Sequence, residues 1–357
     1  MAYTTINKSS EHFDTKVYTG NGSSQTLDMD NLGLLWMKNR TETSNHNLFD
    51  SVRGGYYTSA PGPNLRSNGT TAGSGSDITS AYGITFGSSS STIGSDGGGY
   101  NYNQNSKSYV GWQWRAGTAV SGNTGGSGTA KTYTGSVNTT SGFSIIKYTG
   151  NGTAGHTIPH HLGVAPSMII TKILSGDTSS WYAYHKSLGN TGNIFLDTTA
   201  AVSNSGAWWN STTPTSSVFT VGDQTGNNSN NNPFIAYCFA EKQGYSKFGS
   251  YTGNGNADGA FIYTGFKTAF VMIKKTDSAG NYWHIYDNKR SSSGGSNVIN
   301  DVLYPNRSDA EYSEDRIDFV SNGFKIRNTN GDINTSGGNY IFMAFAEAPL
   351  VGTNNVP

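Results

Sequence analysis

Histidines, carboxylates and glycines at suggestive spacings are the first residues in this chain to test for chemistry. His156, His160 and His161 cluster in GHTIPHHLG. Imidazoles at i and i+4 share one face of a helix, as zinc ligands need. Pro159 and the absence of helical periodicity make this stretch a surface loop, and no Cys or nearby carboxylate completes a set. A metal here would have to be shared between symmetry-related copies. SDAEYSEDRID carries Glu311, Glu314, Asp315 and Asp318. Two carboxylates across a sugar make a glycosidase, but these are crowded into one stretch and interleaved with Ser and Arg. A solvated loop is expected, with a calcium loop as the second reading, although the EF-hand spacing is absent. GNGTAG (150–155) matches G-x-G-x-x-G, yet no helix can begin on its last glycine because HTIPHH follows. There is no G-x-S-x-G elbow. Cys238, the only cysteine, lies in the apolar run FIAYCFAE, where a thiol is a poor nucleophile and no internal disulfide can form. The expectation is a protein that is not an enzyme, with no cofactor and no metal.

Binding is better represented. Trp208 and Trp209 lie in SGAWWNSTTP, Tyr100 and Tyr102 in GGGYNYNQN, and Tyr56 and Tyr57 in RGGYYTSAPG. An aromatic on a polar loop offers a flat apolar face to a sugar ring, so these six are the candidate sugar contacts. The competing reading packs them on a sandwich end or at a subunit contact. Trp181 and Trp283 occupy matched positions and are expected in the core, as are Trp112 and Trp114. Glu241 and Glu347 both follow Phe-Ala at the end of an apolar run and are expected to form a fixed salt bridge or backbone cap.

The elements that must carry these residues are strands. Gly is 47 of 357 residues and charged residues are 13 %, with 21 Tyr, 16 Phe and 7 Trp. Turn formers plus aromatics and Thr describe an all-β chain with many turns. YTGNG occurs at Tyr18–Gly22, Tyr148–Gly152 and Tyr251–Gly255. After each comes an apolar run (LGLLWMKNR, GVAPSMIITKIL, AFVMIKKT), an aromatic run (SNHNLFDSVRG, SSWYAYHKSLG, NYWHIYDNKR) and a weaker landmark (AYGITFG, SSVFTVG, SNGFKIR). A closing aromatic run then ends each pattern (SYVGWQWRAG, PFIAYCFAEKQG, NYIFMAFAEAP). This predicts three tandem antiparallel β-sandwich or jelly-roll-like repeats. The first spans 1–117 with an N-terminal arm, the second 143–245, and the third 246–357 with a C-terminal tail. Residues 118–142, rich in Gly, Ser and Thr, read as a linker, within which YTGSV could form an edge strand or arm. YTGNG itself reads as a hairpin corner in which Gly and Asn accept positive φ. In FIAYCFAE both faces are apolar, Phe234, Ala236 and Cys238 on one and Ile235, Tyr237 and Phe239 on the other. Both must be covered: one by the sandwich core, the other by a loop, a neighbouring unit or another subunit.

Lys plus Arg equals Asp plus Glu, at 23 each. With no basic stripe, nucleic acid is not an expected partner. The N-terminal MAYTTINKSSEHFDTK lacks the pattern of a signal peptide, and no apolar run is long enough to span a bilayer, so a soluble chain without membrane insertion is expected. A weakly charged neutral chain associates readily.

MAYTTINKSS, YTGNGTAGHTIPHHLGVAPSMIITK, LWMKNR…LFDSVRG and FAEAPLVGTNNVP together resemble a repeat family found widely in marine bacteriophage genomes. Members are domains of unknown function, often called tail-fibre or virion structural proteins, sometimes beside a LamG-like sandwich. The resemblance covers all three units. It implies a virion surface protein, assembled in the host cytoplasm as a tail fibre, capsid fibre or decoration. Its expected partners are itself, as a homotrimer, other virion proteins and host surface glycan. It implies no catalytic site. The alternative is a carbohydrate-binding module protein that recognises host polysaccharide.

Overall fold

The computed structural model describes residues 4–29, 33–54, 64–72, 83–87, 90–95, 101–176, 178–291 and 297–349. The all-β expectation is borne out: antiparallel sheets dominate, and the described α-helices are the short turns Thr225–Asn228 and Gly331–Asn334.

Three sheets share one strand order. In the first segment the opening strand Phe13–Thr19 pairs with the closing strand Ser108–Arg115. That strand pairs with the apolar strand Gly33–Asn39, which pairs with the aromatic strand Asn47–Asp50. The same order joins Phe143–Thr149, Pro233–Phe239, Met168–Ile173 and Tyr182–His185. It joins Ser246–Thr252, Asn339–Ala348, Lys267–Lys275 and His284–Asp287 as well. The weaker landmarks of the sequence lie in separate sheets of three, three and four strands, as Ile84–Phe86, Val218–Val221 and Gly323–Ile326.

Side chains alternate across a strand, and here both sets are buried. Tyr109, Phe234, Ala236, Cys238, Tyr340, Phe342 and Ala344 face the small sheet of their own segment, in three separate cores. Val110, Trp112, Trp114, Ile235, Tyr237, Phe239, Ile341, Met343 and Phe345 instead enter a single common core. The second face of each closing strand is therefore covered by the other two segments of the same chain. At the centre the rings of Trp114, Phe239 and Phe345 form a triangle with centroids 5.9, 5.7 and 6.3 Å apart. Burying each such side chain contributes about 1.5–3 kcal/mol, so this shared core is a main source of cohesion.

The YTGNG corner docks on the turn before the closing strand, so it is not a simple hairpin corner. The Tyr18, Tyr148 and Tyr251 hydroxyls donate to the carbonyls of Tyr102, Asn227 and Ile333 at 2.6–2.7 Å. The amides of Asn21, Asn151 and Asn254 donate to Oδ1 of Asn103, Asn228 and Asn334. Each of those buried asparagines donates its own amide back to a loop carbonyl, of Gly94, Gly222 and Asn328. The first glycine is needed for close approach: a Cβ on Gly150 would sit 2.3 Å from the Ser229 oxygen. The last, Gly152, has φ of +71°.

Residues 118–142 are not a free linker. Thr118–Asn123 and Thr132–Asn138 are strands that extend the second main sheet beyond Phe143–Thr149. Tyr133 and Val137 are buried, and Gly135 is small because a Cβ there would lie 2.4 Å from the Ile145 oxygen. Composition that reads as flexibility reflects close packing at this position.

Candidate functional site

Among the predicted sugar contacts, Trp209 is 1 % exposed and packs edge to face on Tyr184 inside the second core. Trp208 is half-buried against Tyr182 and Phe195. Tyr102 is fully buried, edge to face on Phe49. These loops fold back over their own sheets, and Trp209 and Tyr102 cannot offer a face to a ligand. Tyr56, Tyr57 and Tyr100 lie outside the described residues.

The histidines separate. His156 bonds Asn228 Oδ1 at 2.9 Å and Thr124 Oγ1 at 2.6 Å, and His160 bonds the Thr215 carbonyl at 3.1 Å. Both are buried, which lowers their pKa, His160 to about 4. Exposed His161 meets the Tyr133 hydroxyl. Three of the four candidate acids are held by arginines: Glu311 by Arg40 and Arg290, Glu314 by Arg316, and Asp318 by Arg327; the Asp315 side chain lies outside the described residues. Only part of that stretch is a solvated loop, since Tyr312–Val320 is a strand. A strand, His156–Pro159, follows GNGTAG. Burial pushes the Cys238 thiol up to about 12. Glu241 bridges Lys186 (2.6 Å) and Lys247 (2.8 Å), and Glu347 binds Lys267 at 2.6 Å, the salt bridges the sequence suggested. Trp112, Trp114, Trp181 and Trp283 are core residues.

Many of the buried polar groups bind segment to segment. His46, Trp181 and Trp283 each stand four residues before the end of their aromatic strand. Each ring N–H donates to a carbonyl of another segment: His46 to Tyr304 (3.0 Å), Trp181 to Arg66 (2.8 Å) and Trp283 to Phe195 (2.9 Å). His46 Nδ1 accepts from Trp36, which fixes its neutral Nε2–H tautomer. The strand-ending residues form a second set. Tyr237 donates to Asp50 (2.8 Å), His185 donates to the Phe342 carbonyl (3.1 Å), and Trp112 donates to Asp287 (2.8 Å). Each set joins first with second, second with third and third with first, closing a ring. Asp50 and Asp287 are held in place by Arg53 and Arg290 three residues on. Lys38, Lys172 and Lys274, matched on the apolar strands, donate to the carbonyls of Asn39, Thr70 and Asn281. Burial brings each of these amines down to about 8.

What faces outward is different. On the edge strand Phe261–Tyr263 of the third small sheet, Ile262 enters the core while Phe261 (49 % exposed) and Tyr263 (57 % exposed) point out together. Beside them in register lie Lys325 and Asp318, paired respectively with Asp258 (2.7 Å) and Arg327 (3.3 Å). Two aromatic faces beside fixed polar pairs make a contact platform of the kind sought at the tryptophans. The sequence signal is GAFIYTG, with aromatics at i and i+2 around one Ile, a pattern too short to stand out beside a turn.

Strand order and shared packing define the class: an all-β protein of sandwich-like sheets closed around a common core. The chain belongs to the family described as Domain of unknown function (DUF7483), whose model matches residues 8–349. That match crosses all three segments without interruption. No curated protein and no solved structure matches the chain.

Proposed function

We propose that this protein is a bacteriophage virion structural protein, a surface appendage such as a tail fibre, capsid fibre or decoration, built of three tandem units and contacting the host surface. The observation that carries the reading is the outward pair Phe261 and Tyr263, set on a body whose three segments share one apolar core and are joined by a set of buried hydrogen bonds. The resemblance of its long phrases to phage repeat proteins supports the same reading. The second apolar face of each closing strand is covered within one chain, so it gives no reason for a homotrimer. Self-association therefore rests on analogy with fibres, and contact with other virion proteins carries more of the assembly. Immunogold labelling of particles from a host culture with antibody to this chain tests the placement. Label on the particle surface supports it, and label confined to the particle-free lysate rejects it.

The second reading, recognition of host polysaccharide, is favoured by the same aromatic pair. Replacing Phe261 and Tyr263 together by Ala should abolish binding to host glycan without changing the melting temperature. Undiminished binding by the double variant removes this strand as the contact.

A further inference from the structure

A cleft of about 210 Å³ separates the third segment from the first. Phe13, Ala269 and Ala346 supply its apolar floor, while Ser10, Lys289 and Glu347 are exposed at its rim. Thr15 and Asn288 line it, 5 % and 6 % exposed respectively, and neither Thr15 Oγ1 nor Asn288 Oδ1 has a hydrogen-bond partner. A buried polar atom left unpaired is costly, and each one needs an explanation. Asp14 adds a carboxyl, one oxygen of which accepts from the Thr15 amide. Burial raises that carboxyl above its ordinary range.

The corresponding junction between the second and third segments shows what is missing. Strand register places Phe13 opposite Trp114 and Ser246 opposite Phe345, so Asp14 matches Lys247 and Thr15 matches Phe248. In the same way Asn288 matches Lys186, and Glu347 matches Glu241. At that junction Glu241 pairs with both Lys186 and Lys247, and the Phe248 ring occupies the common core. At the junction of third and first, Thr stands in place of the ring and Asn in place of the lysine. Volume opens and two polar atoms are orphaned.

The geometry points to a saccharide-binding cleft at this junction, taking one neutral pyranose unit of a glycan. Hydroxyl groups both donate and accept, which suits an unmet amide oxygen, an unmet hydroxyl and a carboxyl lining one cleft. Lys289 at the rim opposes a bound cation, and Asp14 with Glu347 opposes an anion. The apolar floor fits the carbon face of a sugar ring. This inference deepens the host-glycan part of the proposed function by naming a second subsite apart from Phe261 and Tyr263.

The test is saturation-transfer NMR and calorimetry on the full chain with methyl glycosides of neutral hexoses and with N-acetylglucosamine, and separately with calcium chloride. At least one sugar should bind. Asn288→Leu and Thr15→Phe, which restores the ring of the matched junction, should each weaken it by about tenfold or more. Melting temperature should be unchanged or higher. If Thr15→Phe fails to fold, Asn288→Leu alone decides. No binding by any of these sugars, binding undiminished in the variants, or calcium binding lost with Asn288→Leu would each overturn the inference. Sugar binding by a chain absent from particles would preserve this inference and reject the virion reading. Labelled particles with an empty cleft would do the reverse.

Discussion

Trp114 and Phe345, from closing strands at opposite ends of the chain, meet edge to face with ring centroids 5.7 Å apart. Phe239 touches both, and each of the three rings is supplied by a different segment. No segment keeps its inner face dry without the other two.

Phe345→Ala should therefore weaken the whole molecule. A large core truncation costs about 3–5 kcal/mol, and here the cavity opens onto all three segments. Urea unfolding followed by tryptophan fluorescence and by far-UV circular dichroism should show coincident transitions in both proteins. Separate transitions would mean that the segments unfold independently.

Arg290 is fully buried, bonded to Asp287 (2.6 Å), Glu311 (2.7 Å) and the Ile285 carbonyl (3.0 Å), while Arg40 of the first segment binds Glu311 and the Arg290 carbonyl. Arg290→Met leaves Asp287 without its cation and Glu311 with Arg40 alone. Removing one partner of a buried pair costs about 3–5 kcal/mol. Calorimetry should show that loss, and added salt should not reproduce it in the unmodified protein, because buried pairs are poorly screened.

Buried histidines set an acid limit. Burial holds His160 and His185 at about 4 and His284 at about 3, and His46 lies well below its ordinary value. Above pH 6.5 these groups are neutral in folded and unfolded chains alike. As pH falls from 6.5 towards 4, the unfolded chain takes up protons that the folded chain refuses, so stability falls. Each group contributes up to about 1.4 kcal/mol per pH unit in that window. Melting temperature should drop as pH is lowered through that window, and His185→Gln should make the drop shallower. An unchanged slope in that variant would exclude His185 as a contributor.

Gly150 tests the docked corner. A Cβ there meets the Ser229 oxygen at 2.3 Å and the Asn228 carbonyl carbon at 2.9 Å. Gly150→Ala should destabilise by about 1–3 kcal/mol. Gly69→Ala, whose nearest neighbour would be Arg66 Cβ at 3.8 Å, should stay within about 0.5 kcal/mol of the parent. Equal melting temperatures for the two variants would contradict the corner's role.

Much of the fold was legible because a strand's period of two shows on the page. FIAYCFAE is apolar on both faces, and both faces are covered. The matched Trp181 and Trp283 are core for the same reason. The candidate site was harder. Nothing local tells whether an aromatic in a polar turn points outward, and Trp209 turns in because its loop is tied back by a bond from the Gly222 amide to the Trp208 carbonyl. The Asp-x-x-Arg spacing of Asp287 and Arg290 was visible, but Trp112 and Glu311 reach it only through the tertiary packing. Likewise Thr15 and Asn288 are unremarkable in sequence. They matter only because tertiary packing of two different sheets brings both to one cleft, each with an atom left unpartnered.

The circular arrangement of donors, from His46 through Trp283 and Trp181 back to His46, has an evolutionary consequence. An open stack can lengthen by gene duplication, each new copy resting on the last. A closed circle has no free end on which to rest one. Another such stretch of polypeptide would have to prise two existing neighbours apart, so descendants of this chain can elaborate its rims and loops far more easily than change its count of three.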